Sequence, residues 1–190
     1  MLVCLLSPIP ALTTDYNIGS YNNFYTGKSC SIDVRLKKDV IKIVYIYMST
    51  KSGVTGYFAF NGKDLEKFYE ALNTMRNKFI EWSDTAIENN ISSFSKEFEV
   101  KLPKGNFFWI GTKTWFSSKQ PITPIFTVAD GKPMIMLIGS ASALQNKYIS
   151  ETFYLVINNL ENYDAFIEIF NPENALKKAL HTQNLTDKFK

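Results

Sequence analysis

The chain has 190 residues, 45% of them hydrophobic and 15% aromatic, and carries a formal net charge of +3. That length fits one domain or two small halves with a common core, and so apolar a composition excludes a disordered chain. Two cysteines, Cys4 and Cys30, exclude a disulfide framework and a zinc site made of cysteine alone, and the mild positive charge favours an anionic partner only weakly.

The start, Met1 to Leu6, is apolar but lacks a positive n-region, and Pro8 and Pro10 interrupt it. It reads as an arm or edge strand rather than a signal peptide. Residues 1–30, rich in Asn, Tyr, Ser, Thr and Gly towards Lys28, are expected to form an N-terminal arm.

Ile32, Val34 and Leu36 alternate with Asp33, Arg35 and Lys37, so one face of this strand is buried and the other charged. Lys38-Asp39 is a tight turn. Ile41 to Thr50, dense in β-branched and aromatic residues, is the clearest strand. Lys51-Ser52-Gly53 turns the chain, and Val54 to Phe60 returns, with Gly56 read as a bulge. Asn61 is a good helix N-cap. Leu65, Phe68, Leu72, Met75, Phe79 and Trp82 then recur at spacings of three and four, which predicts an amphipathic helix reaching Ile87.

Ile91 to Ser95 reads as an internal boundary. Beyond it, Phe98, Val100 and Leu102 alternate with charged residues, and Phe107 to Phe116 is strongly β. Asp130-Gly131 between apolar runs is the strongest hairpin signal in the chain. Gly139 to Asn146 reads as a small-residue loop, Thr152 to Ile157 as a strand, and Leu160 to Phe170 as a shorter helix ended by Pro172. One or two further helical turns are expected between Glu173 and Leu180.

Enzyme chemistry is poorly supplied. His181 is the only histidine, no Gly-rich phosphate loop occurs, and Asp64, Glu66 and Glu70 form no tight ligand cluster. No catalytic residue, metal or cofactor is expected. Acids concentrate in the helical patterns and lysines in the strands, which predicts two electrostatically different faces.

The Phe107–Phe116 segment is more suggestive. Alternation places Phe107, Trp109, Lys113 and Trp115 on one face, and Phe108, Ile110, Thr112, Thr114 and Phe116 on the other. A basic and aromatic strand face suits single-stranded nucleic acid, because rings stack on bases while ammonium groups meet phosphates. Tyr45 and Tyr47, with Arg35 and Lys37 nearby, supply an equivalent platform in the first half.

Two junctions repeat one pattern: Tyr57-Phe-Ala-Phe-Asn61 and Tyr154-Leu-Val-Ile-Asn158 each run from an apolar strand into a helix. The fold expected is α+β, with two runs of antiparallel strands that each end in a helix, at residues 31–90 and 91–181, and a flexible tail at 182–190. The whole is expected to form one compact domain.

On these residues the chain resembles the single-stranded nucleic-acid-binding superfamily that includes the coactivator PC4, the plant Whirly proteins and the PUR repeat proteins. Val34 to Met75 is similar to one unit, with the exit Gly53-Val-Thr-Gly-Tyr-Phe-Ala-Phe-Asn-Gly-Lys-Asp-Leu65 into its helix. Phe98 to Phe170 is similar to a second. The resemblance implies two β-β-β-β-α-like repeats, curved antiparallel sheets backed by helices, used in pairs to bind unpaired strands.

The function expected is non-enzymatic binding of single-stranded DNA or RNA in replication, recombination or transcription. Arg35, Lys37, Tyr45, Tyr47, Trp109, Lys113 and Trp115 are the candidate contacts. The alternative is a structural or protein-interaction module, such as a phage or virion assembly component. A homodimer or higher homo-oligomer is expected, with no membrane partner, in the cytoplasm. Usage rich in Lys, Asn, Ile and Phe points to a bacterial or phage source.

Overall fold

The computed structural model describes residues 14–50, 55–110, 114–143 and 146–188, with backbone only at 109–110, 114–115, 143, 146–147 and 149. Cys4, the Lys51–Gly53 turn and Lys113 lie outside these residues. The fold is α+β, with a large antiparallel sheet and three helices among the described residues.

Four strands come first: β1 (Asp15–Asn23), β2 (Lys28–Lys37), β3 (Val40–Thr50) and β4 (Thr55–Asn61). They pair in sequence order. Lys38 and Asp39, both at positive φ, make the two-residue turn from β2 to β3. The Asn61 side chain accepts from the Lys63 N–H at 3.0 Å, starting a 3-10 turn at Gly62–Asp64 that runs into helix α1 (Leu65–Glu88). The expected N-cap therefore serves this turn, one step before the α-helix.

Six strands and two helices follow: β5 (Ser93–Glu97), β6 (Gly105–Ile110), β7 (Thr114–Gln120), β8 (Thr123–Ala129), β9 (Lys132–Ala143), β10 (Asn146–Ile157), α2 (Leu160–Ile169) and α3 (Pro172–Asp187). The sheet order is β1-β2-β3-β4-β6-β7-β9-β8-β5. β10 pairs with β9 along its length and with β3 through Phe153 and Tyr154. Asp130 and Gly131, at φ 50° and 73°, turn β8 into β9 as their sequence predicts.

α1 lays Leu65, Phe68, Leu72, Met75 and Phe79 into the core, where they meet the inward residues of β2, β3, β4, β8 and β9. α2 is tied to α1 by the Tyr163 hydroxyl, which donates to the Leu72 carbonyl at 3.0 Å, and by Arg76, whose Nη2 donates to Asp164 Oδ2 at 2.9 Å. Asn23, fully buried, joins the first strand to the last. Its Nδ2 donates to the Tyr154 carbonyl at 2.7 Å, and its Oδ1 accepts from the Val156 N–H at 3.1 Å.

Several elements differ from expectation. The arm contains β1, with Tyr16, Ile18, Tyr21 and Asn23 buried. A register shift between Asn17 and Gly19 breaks its alternation, so period two is lost in the sequence. Ser93–Glu97 is a strand, whereas 98–102 is not. There the Val100 N–H turns back to the Phe98 carbonyl at 2.8 Å, while Phe98 stacks on Trp82.

Gly139 to Ala143 belong to β9 and Asn146 to β10, paired as a hairpin where a loop was expected, and a side chain on Gly139 would enter the ring of Phe107. Gly56 is no bulge, since the β3–β4 register passes through it unbroken; it makes room for the Phe153 ring. α3 spans sixteen residues and takes in most of the expected tail, because Pro172 begins a new helix capped by Asn171.

Candidate nucleic-acid interface

One sheet face of β3, β4, β6 and β7 is lined by aromatic residues. Strand alternation puts Tyr45 and Tyr47 of β3 beside Ala59 and Tyr57 of β4. Tyr57 pairs with Phe108 of β6, and Phe108 with Phe116 of β7. The result is a ladder of rings running across the strands. Centroids are 5.7 Å apart for Tyr47–Tyr57, 5.3 Å for Tyr57–Phe108 and 6.2 Å for Phe108–Phe116, with the middle pair stacked. Tyr45 packs edge-on to Tyr57 at 5.3 Å. Tyr47, Tyr57, Phe108 and Phe116 are half-buried, so each keeps part of its ring in solvent.

Beside the ladder lies a cleft of about 550 Å³. Tyr45, Tyr57, Phe108 and Phe116 form its aromatic wall, and Lys42, Lys104 and Lys119 its cations. No carboxylate lines it, and none of the three lysines enters an ion pair among the described residues. A local irregularity helps to build it. The β6–β7 register shifts between Gly105 and Phe107. Lys119 takes a φ of 54° there, and its N–H donates to Asn106 Oδ1 at 3.2 Å. Such bulges re-aim side chains at the edges of sites.

Burial pushes the Tyr45 hydroxyl up to about 12, and the Asp15 carboxylate adds to the rise. Burial also raises Tyr47, helped by Asp33, and Tyr57, where Arg35 opposes the rise. All three hydroxyls are therefore protonated donors at neutral pH. Neutral rings with donor tips offer both a stacking surface and a hydrogen bond to an acceptor.

The expected contacts fall at different distances from this cleft. Tyr45 lines it, and Tyr47 extends the ladder. Arg35 sits over the Tyr45 ring at 5.3 Å, but its fork is engaged: Nε donates to Asp15 Oδ1 at 2.7 Å and Nη2 to Oδ2 at 2.8 Å. Lys37 is exposed at the β2–β3 turn and does not line the cleft. Trp109 and Trp115 are register partners across β6 and β7, and Lys113 lies outside the described residues. Phe107, placed by alternation with the tryptophans, is fully buried and stacks on Phe153.

Lys42, Tyr57, Lys104, Phe108, Phe116 and Lys119 were not among the expected contacts. Two signals in the sequence touch four of them: the acid-free lysine run from Lys101 to Lys119 holds Lys104 and Lys119, and Phe108 shares its parity with Phe116.

No group of three His, Cys, Asp or Glu side chains that could hold a metal occurs among the described residues. None of the described helices is long and apolar enough to cross a membrane. Comparison with protein-family models, with curated proteins and with solved structures finds no match to this chain.

Proposed function

We propose that this protein binds single-stranded nucleic acid, without catalysing a reaction, on the aromatic ladder and lysine cleft of β3, β4, β6 and β7. The observation that carries this reading is the composition of the cleft: three unpaired lysines, four rings and no acid. Bases stack on Tyr57, Phe108 and Phe116, while Lys42, Lys104 and Lys119 meet phosphates. Ring-on-base stacking is tolerant of base identity, because every base presents a π-face, so little sequence preference is expected. Rigid duplex DNA keeps its bases stacked on one another and offers the rings no face.

We read the two halves as diverged copies of one sheet-then-helix unit, as the resemblance to the PC4, Whirly and PUR proteins implies. Four strands and α1 form the first. The second has gained strands and α3.

The test is fluorescence anisotropy with labelled single-stranded and duplex oligonucleotides at two ionic strengths. The expected result is single-strand preference with affinity that falls steeply as salt rises, since displaced counterions drive binding. Equal affinity for both forms, or no binding at low salt, would remove the reading. The alternative, a protein-interaction module, draws its support from a different surface at the far edge of the sheet.

A further inference from the structure

The two edges of the sheet are unlike. β1 is covered: α2 and α3 pack on it, and Asn23 ties its end to β10. Among the described residues β5 pairs with β8 alone, and all five of its residues are exposed. An open strand edge is a template for another strand.

The direction of its free groups follows from the pairing. The Phe98 N–H donates to the carbonyl of its direct partner Pro124 at 3.0 Å. In an antiparallel ladder hydrogen-bonded pairs alternate with non-bonded ones. Phe94 and Lys96 therefore spend their backbone groups on β8, as Phe98 does its N–H, while the Phe98 carbonyl takes the Val100 N–H. Ser93, Ser95 and Glu97 direct their N–H and C=O groups to the free edge. The Ser95 and Thr127 hydroxyls, 3.0 Å apart, fit this assignment, because side chains approach most closely in non-bonded pairs.

The side chains divide the same way. Lys96 lies 4.6 Å over the Trp82 ring, and Phe94 packs towards Phe126. Phe94 remains 45% exposed, and a small apolar cavity of about 170 Å³ lies beside it, lined by Trp82, Ala86, Ile91 and Phe126 among others. The edge is thus polar on one side and apolar on the other.

We infer that β5 is a self-association edge, which pairs antiparallel with β5 of a second copy about a twofold axis at Ser95. Centred there, Ser95 pairs with Ser95, and Ser93 with Glu97. Every outward N–H and C=O of the three residues then finds a partner. Phe94 of each copy falls opposite Lys96 of the other, on the side of Trp82, and extends the apolar wall across the junction. No like charges stand directly opposite, which would be destabilising. A twofold axis at Glu97 would set two carboxylates face to face, and one at Ser93 would leave Glu97 beyond the end of the paired strand. A second copy fits this edge because one centre satisfies backbone and side chains together.

The test is sedimentation velocity of the full chain after nuclease treatment, with three variants. A five-residue strand pair makes a small, weak interface, so the wild type is expected to pass from monomer to dimer between about 5 and 500 µM. Ser95→Pro removes an N–H that β8 does not use, and is expected to hold the protein monomeric with unchanged circular dichroism. In a Cys4→Ser background, Ser95→Cys is expected to form a disulfide-linked dimer under mild oxidation. Residues in a hydrogen-bonded pair stand about 5.5 Å apart at Cα, within disulfide reach. Ser93→Cys is expected not to link to itself. A monomer at every concentration overturns the inference, as does a dimer that survives Ser95→Pro or links through Ser93→Cys in preference to Ser95→Cys.

Discussion

The rings of Tyr57 and Phe108 stack with centroids 5.3 Å apart and 21° between their planes, and the two residues are register partners across β4 and β6. This contact is where the strand run before α1 meets the run after it. Each ring is held by its neighbour before any ligand arrives, which limits the ordering cost of binding.

Phe108→Ala is expected to weaken binding of a labelled single-stranded oligonucleotide by about 5- to 150-fold, the equivalent of ~1–3 kcal/mol for one stacked base. Anisotropy titration measures this. Because Phe108 is half-buried, a urea unfolding curve should accompany it to separate lost binding from lost fold. An affinity equal to wild type would take the ladder out of the binding surface.

Each of Lys42→Ala, Lys104→Ala and Lys119→Ala is expected to flatten the plot of log affinity against log salt by about 0.7, the increment of one phosphate contact on a single strand. Lys37→Ala, at the β2–β3 turn, is expected to change the slope less. A uniform loss across all four variants would indicate a diffuse field rather than a cleft.

Tyr45 holds its proton to about 12 in the folded protein, against the ordinary value of 10.0. A group raised on folding stabilises the native state below its unfolded pKa, and that stability drains as pH rises through the folded value. Urea midpoints are therefore expected to be insensitive to this residue below pH 9 and to fall between about pH 10 and 12. Tyr45→Phe should flatten that fall. Tyrosinate absorbance during the titration reports which hydroxyls ionise before unfolding.

Gly139→Ala drives a methyl group into the Phe107 ring. Overpacking of this kind costs about 1–3 kcal/mol. Phe107→Ala alone should cost more, about 3–5 kcal/mol, through the cavity it leaves. Combined, the two changes are expected to cost less than their sum, with a coupling of at least about 0.5 kcal/mol. Strict additivity in denaturant unfolding would show that the two residues do not share one packing site.

Local chemistry made much of the fold legible. Ile43 to Met48 reads as a strand from its side chains alone, Asp130-Gly131 as a turn from its tolerance of positive φ, and Asn61 as a cap, whereas Pro172, read as the end of one helix, opens the next. Where a non-local contact decides, periodicity gives out. β1 hides behind its irregular register, and Gly139 looks like loop material until the Phe107 ring is placed against it. The cleft shows the same limit: Lys42 and Lys119 line one cleft because Tyr57 pairs with Phe108, a register that no window of the sequence contains. Parity did group Phe108 with Phe116, yet nothing local marks that parity, rather than the tryptophan-bearing one, as the face beside the lysines.

The Asn23 amide has a consequence for the order in which the molecule can be completed. Its Oδ1 accepts locally from the Tyr25 N–H at 3.2 Å, but its other two bonds go to β10, more than a hundred residues downstream. Until β10 has been made, its Nδ2 lacks the Tyr154 carbonyl, and burying a polar group unsatisfied costs about 1–3 kcal/mol. The buried end of β1 is therefore completed only once β10 is in place, and a fragment ending after α1 would carry an open seam there.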